Sequence, residues 1–282
     1  MVVPPVVVVA SVFVVVVAAL LVATLVLCVG SARLRELSTS PKLLRSRVRA
    51  VSPYAGLLAA VFGARMVFRE QFWALSEAIG YQMTGVFYAI EGDLAAQVQT
   101  LIPDIAAPYF ASVYMFGYAL VVIAPLVLYL FADSLRHLKT VLLAYTINYA
   151  VATVLYTLVI ARGPRIASSS TQGIIQEFFP YFTLLTGQVN SPRNVFPSLH
   201  TSLAVTVLVV AVLTRNEFPR WLSLTTVLTT SIVVSTVYLG IHWFIDLAAG
   251  VCLAVASVWL AHQLNGRAGS QRQDETISTA TE

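Results

Sequence analysis

Long apolar runs separated by short charged stretches set the pattern of this chain. Residues 6–30 are almost wholly Val, Ala and Leu, and a weaker run at 51–68 is interrupted by Arg65. Further runs occupy 109–131, 140–161, 198–214, 221–241 and 243–263. A helix that crosses a bilayer needs about 20 apolar residues, so the pattern predicts about seven spans. The runs are continuous rather than alternating at every second residue, which disfavours a membrane β-barrel. The first run exceeds the roughly 7–15 residues of a signal-peptide core and has no basic residue before it, so it reads as a retained span. The expected fold is an all-α polytopic membrane helix bundle.

The polar stretches orient that bundle. Residues 31–50 carry Arg33, Arg35, Lys42, Arg45, Arg47 and Arg49 against a single Glu36, and such clusters stay in the cytoplasm. Counting spans from there places 132–139, 215–220 and the C-terminal tail inside. The stretches 69–108 and 162–197 and the turn near 242 then lie outside. The 69–108 stretch holds Glu70, Glu77, Glu91, Asp93 and Asp104 among aromatic and apolar residues. It predicts short amphipathic helices on the outer surface, serving as a lid, as a lipid-facing platform or only as packing. From Asn265 onward the chain is polar without apolar periodicity, and disorder is expected. The chain thus divides into an N-terminal span with its basic loop (1–50), a membrane domain (51–264) and a tail (265–282).

Composition agrees with this division. The chain is 58% hydrophobic and 11% charged, against about 25% charged in a soluble domain, with mean hydropathy +0.82. The net charge of +4 belongs to the inner loops and does not indicate a nucleic-acid partner. Cys28 and Cys252 both lie in apolar runs and make neither a disulfide framework nor a metal cluster. There is no internal repeat of the kind that builds transporters from inverted halves.

Candidate chemistry gathers at two places. In Asn194-Val195-Phe196-Pro197-Ser198-Leu199-His200 a proline, a serine and a histidine crowd a helix start. Pro favours a first helical turn, a helix N-terminus suits a phosphate, and histidine exchanges a proton near neutral pH. A histidine merely seated at the membrane interface would read the same in isolation. Further on, His242 and Asp246 are four residues apart, one above the other on a helix. The carboxylate can hold one ring nitrogen and leave the other free as base or nucleophile. Both places fall on the outer face, as does the loop opening with Arg162-Gly163-Pro164-Arg165 and closing with Arg193. Guanidinium groups match phosphate oxygens, so the set points to phosphoryl transfer. Two other readings use the same residues. His200, His242 and Asp246 form a legitimate zinc set for a hydrolase, although the arginines would repel the cation. The His–Asp pair could also serve a proton-linked transporter, which would need polar residues deeper in the spans than the fifth to seventh runs display. His137 reads as solvated, and His262 as structural with no evident partner.

These residues resemble the type 2 phosphatidic acid phosphatase superfamily. Phe196 through His200 is similar to its P-S-G-H signature, and Ser235 through Asp246 to its S-R-x5-H-x3-D signature. Arg162 to Arg165 sits where the first signature, K-x6-R-P, ends. The resemblance covers about residues 51–263 and implies a six-helix lipid phosphatase-like core with one added N-terminal span. Three positions depart from the pattern. Leu199 stands for the glycine, Thr236 for the arginine, and Leu155 falls where the lysine should be. In these departures the chain resembles the branch of inositol phosphorylceramide synthase (the aureobasidin-resistance type), where Arg165 is a better match than Arg162. The resemblance implies a metal-independent phosphatase or phosphotransferase without cofactors, acting on a membrane lipid at the outer face of the cell membrane. His242 would attack phosphorus and form a phosphohistidine, Asp246 would orient it, and His200 would serve as acid and then base. Arg165, Arg162 or Arg193, and Ser198 would hold the phosphate.

Overall fold

The computed structural model describes residues 5–181 and 193–280, and it is an all-α membrane bundle. Among the described residues six helices are long and apolar enough to cross a membrane: Val6–Cys28, Pro41–Val67, Asp104–Phe131, Arg136–Leu158, Pro219–Tyr238 and Phe244–Gly266. The fifth expected span is a shorter apolar helix, Leu199–Leu213, of 15 residues. At 1.5 Å per residue it is about 22 Å long, less than the roughly 30 Å of a hydrocarbon core. It still joins the two ends of the bundle, from His200 beside His242 to Thr214 near the Arg33–Glu217 pair, and falls one residue short of the 198–214 run at each end because Ser198 is its N-cap and Thr214 its C-cap.

The fourth helix, Arg136–Leu158, is the central post, in contact with the second, the fifth and the seventh. The fifth also packs on the third, sixth and seventh. Leu128, Tyr145, Leu203, Val207, Trp221 and Ile232 are wholly or almost wholly buried where these helices meet. The first helix lies outside, against the third and sixth. Its Val14, Val15 and Val22 face outward, as suits a lipid-facing surface.

Polar side chains do lie deep in the bundle. Asn148 donates to the Thr206 hydroxyl at 3.2 Å and accepts from Ser202, all three fully buried. Such hydrogen bonds hold membrane helices together, and none of these groups is ionisable. At the inner end Arg33 pairs with Asp133 and with Glu217, and Arg47 donates to the Leu130 and Ala132 carbonyls at 2.9 and 2.6 Å. Part of the basic cluster thus satisfies backbone carbonyls left free at a helix end. His262 has the partner that the sequence did not reveal, with Nε2 3.1 Å from the Arg136 guanidinium.

The outer segment forms the short helices expected of it: Arg69–Ile79, Thr84–Glu91 and Leu94–Leu101. Tyr81–Gln82 pairs in parallel with Val159–Ile160, which ends the fourth helix. The backbone of the last helix runs on to Ala280, so the tail expected to be disordered is helical there. It contains no proline to stop the helix.

Candidate active site

Three chain segments meet at the end of the bundle opposite the basic 31–50 segment. The sixth helix ends at Tyr238, and the chain turns through Gly240 at φ +66°. This left-handed position closes many helices and favours glycine. The Thr236 carbonyl accepts both the Ile241 and the His242 amides, at 2.9 and 3.1 Å. The Thr236 hydroxyl bonds back to the Val233 carbonyl of its own helix. The loop at 162–165 docks on this turn. Arg165 N–H donates to the Gly240 carbonyl at 3.0 Å. A Cβ at Gly163 would sit 2.1 Å from the Ile241 carbonyl oxygen, so only glycine lets the two backbones approach this closely. Docking carries Arg165 beside His242. Its Nη1 is buried and has no hydrogen-bond partner. Burial also lowers its pKa, which a guanidinium tolerates while keeping its charge.

His242 is almost fully buried between the sixth and seventh helices. Its Nδ1 lies 3.3 Å from Asp246 Oδ2, an oxygen that also accepts the Trp243 amide at 2.9 Å. Asp246 is thus an orienting partner for the imidazole and a cap of its own helix. Its Oδ1 is buried without a hydrogen-bond partner. Burial pushes the His242 pKa down to about 3, so the ring is neutral near pH 7 and keeps a nitrogen lone pair.

The other ring nitrogen of His242, Nε2, faces His200 Nδ1 at 3.4 Å. His200 occupies the first turn of the fifth helix, where Ser198 is the N-cap and its hydroxyl accepts the Thr201 amide at 3.2 Å. Helix therefore starts after Pro197, which joins Phe196 through a cis peptide bond, and not at the proline. The Ser198 amide donates to the Asp246 carbonyl at 3.1 Å, tying the fifth helix to the seventh. Tyr114 and Tyr118 lie against the His200 ring, with centroids 4.7 and 4.5 Å away. Both come from the third span, where residues Val113–Gly117 form a π-helical turn, a feature frequent at functional sites.

Of the three arginines expected to hold phosphate, Arg165 is the one brought beside His242 by the described contacts. Arg162 is exposed and serves through its backbone, which accepts the Trp243 indole N–H at 2.8 Å and donates to the Thr84 hydroxyl at 3.0 Å. Arg193 pairs with Glu77 at 2.8 Å and lies over the Trp73 ring. The Ser198 hydroxyl is engaged in its cap. Residues 182–192 of the same loop lie outside the described residues. Asp246 and His200 flank His242 on opposite ring nitrogens and do not converge on one point, as zinc ligands must. Among the described residues no three His, Cys, Asp or Glu are grouped to hold a metal.

Sequence reasoning passed over Tyr114, Tyr118 and Trp243. The i, i+4 spacing of the two tyrosines on an apolar span was the available signal for a shared face.

The family model of the PAP2 superfamily matches residues 91–260, more than half of the chain. An uncharacterized protein of Methanocaldococcus jannaschii, MJ0662, is 26% identical over 153 residues, which is 53% of this chain and 59% of that protein. The chain thus aligns with less than two thirds of that relative's length. No solved structure matches it. With apolar spans, a buried His–Asp pair and a family match across both signature stretches, the chain belongs to the PAP2 superfamily and is an integral membrane protein.

Proposed function

We propose that this protein transfers a phosphoryl group from a lipid phosphate or phospholipid head group through a phosphohistidine at His242. The observation that carries the reading is the neutral, Asp246-oriented His242 with the Arg165 guanidinium beside it, one of whose nitrogens, Nη1, is buried without a partner. The His242 Nε2 lone pair forms the bond to phosphorus as the phosphorus–oxygen ester bond breaks. His200 gives a proton to the departing oxygen. Water or an acceptor hydroxyl then attacks phosphorus, His200 takes its proton, and the nitrogen–phosphorus bond breaks. Asp246 steadies the positive charge that the His242 ring carries while phosphorylated. Arg165 neutralises the phosphoryl oxygens. No step calls for a metal or a cofactor.

The substrate is a membrane lipid, because the site lies at the outer end of apolar helices beneath an amphipathic platform. Leu199, Leu155 and Thr236, whose hydroxyl is turned onto its own helix, favour the phosphotransferase-like branch that includes inositol phosphorylceramide synthase. With the basic 31–50 segment inside, the site faces the outside of the cell membrane.

The test is incubation of purified protein with a phospholipid panel, followed by lipid mass spectrometry. Free phosphate identifies a phosphatase, and a new lipid bearing the head group identifies a transferase. His242→Ala should abolish turnover while the protein still inserts and folds, and activity retained in that variant sinks the assignment. Orthovanadate should inhibit, and chelators should not. Inactivation by a chelator with recovery on adding zinc would return the zinc reading.

A further inference from the structure

The outer helix Thr84–Glu91 touches every segment of the site. Thr84 accepts the Arg162 amide at 3.0 Å. Phe87 is buried and packs on Phe196, with ring centroids 5.5 Å apart, just before Pro197. Tyr88 meets the Trp243 ring edge-on at 6.4 Å, just after His242. Glu91 closes the set. Its Oε2 accepts the Phe244 amide at 2.9 Å and its Oε1 the Ile245 amide at 2.7 Å.

Glu91 is badly placed for its own helix. It is the last residue of Thr84–Glu91, where the negative end of the dipole disfavours a carboxylate. Across the gap it meets the opposite situation, the unsatisfied amides at the start of the seventh helix. Two charge-assisted hydrogen bonds to consecutive amides hold that first turn in one orientation. The turn is the segment that separates His242 from Asp246. A local rule broken in one element and answered in another marks a residue with a task beyond its own helix.

We propose that Glu91 is a positioning residue that clamps the start of the seventh helix and thereby sets the relative orientation of His242 and Asp246. The proposal rests on the phosphoryl-transfer reading only for its consequence in turnover. Glu91 does not touch the histidines and acts through the Phe244 and Ile245 amides. The whole Thr84–Glu91 helix is then a support for the reacting groups and not a lid over them.

The chain has only four histidines, so histidine-selective 15N labelling of the full protein in detergent micelles resolves the His242 ring directly. In Glu91→Ala and Glu91→Gln the His242 ring signals should shift or broaden, and Glu91→Asp should restore them in part. Amide exchange at Phe244 and Ile245 should quicken at least about tenfold, as expected when protecting hydrogen bonds are lost, with the sixth helix unchanged. On the phospholipid that wild type turns over, kcat should fall about ten- to a hundredfold with KM nearly constant, the size of loss that small misplacements cause. If the His242 ring signals of both variants match wild type, Glu91 does not position the pair. Faster amide exchange with unmoved ring signals also overturns the proposal, since Glu91 would then be a helix cap only. Orthovanadate added to wild type tests the other reading separately. Ring signals that ignore it sink phosphoryl transfer at His242, while the variant spectra still decide the role of Glu91.

Discussion

Arg165 should lower the stability of this protein and raise its activity, and the two effects can be separated. Its Nη1 is buried without a partner. An unsatisfied buried polar group costs about 1–3 kcal/mol, more if charged. The side chain is only partly buried, so the lower end applies, about 1 kcal/mol. Arg165→Met keeps the aliphatic stem that packs beside Gly240 and removes the charge. It should raise the apparent unfolding temperature in detergent by about 2–4 °C, the shift that 1 kcal/mol produces in a domain of about 150–250 residues. Under the proposed function the same substitution removes a guanidinium that neutralises the transferring phosphoryl group. Loss of one preorganised donor of that kind costs about 10²–10³ in kcat. Arg165→Lys keeps the charge but not the two-pronged geometry and should fall between. The assay pairs turnover of the phospholipid substrate with thermal unfolding on one preparation. Loss of stability and activity together in Arg165→Met would refute the reasoning, since Arg165 would then be a structural ion partner. Turnover within about threefold of wild type would refute its role at phosphate, against the factor of about 10² expected.

Other substitutions separate the remaining roles. Gly240→Ala combines a positive φ with a Cβ 2.7 Å from the Thr171 methyl and 3.0 Å from Arg165 Cβ. It should cost at least about 1–3 kcal/mol and displace Arg165, seen as lower unfolding temperature with lower turnover. Arg193→Ala should leave turnover near wild type and cost under about 1 kcal/mol, because its Glu77 partner is largely exposed. His242 has an ordinary pKa of 6.5, and burial lowers it to about 3 in the fold. Between those values the unfolded chain binds more protons, so the stability that His242 contributes is full above about pH 6.5 and falls as pH drops toward 3, by at most about 1.4 kcal/mol per pH unit for this one group. Thermal unfolding at pH 7.5 and pH 5 compared between wild type and His242→Gln measures that share, and the variant should show the shallower slope.

The spans were legible because lipid demands long apolar runs, and the pairing of His242 with Asp246 because a spacing of four is a contact in any helix. The start of the fifth helix was legible within a residue from Pro197 and Ser198, but its shortness was not, since nothing in an apolar run reports how thick a slab the helix fills. Three arginines of one loop looked equivalent in sequence. Which of them meets the histidines depends on Gly163 and Gly240, whose backbones meet across 77 positions of chain, and no local pattern reports that. Tyr114 and Tyr118 were hidden for the opposite reason, because an aromatic residue on an apolar span reads as packing. Glu91 was seen only as one of several acids in an outer stretch. Its partners are backbone amides 153 and 154 residues away, and an amide leaves no trace in residue type.

Two helix N-termini meet at the site, and their occupants differ. Each would attract an anion. At the seventh helix the protein supplies its own carboxyl groups: Asp246 takes the Trp243 amide, and Glu91 takes those of Phe244 and Ile245. At the fifth helix the cap is the neutral Ser198 hydroxyl. Under the proposed function a phosphate should therefore be kept from the Asp246 side of His242 and drawn to the side where Arg165 has an unpartnered nitrogen. On that side Nε2 of His242 faces His200, 3.4 Å away. The carboxylates thus do two things with one placement. On the proposed mechanism Asp246 stabilises the charge that the His242 ring gains, and the two carboxylates together leave only one side of the ring favourable to an anion. The arrangement predicts that Glu91→Lys is more damaging than Glu91→Ala, because a cation there offers the phosphate a competing seat on the wrong side of the ring. Orthovanadate should then still bind the Lys variant but no longer perturb the His242 Nε2 signal, whereas equal behaviour of the two variants would remove the electrostatic half of this argument.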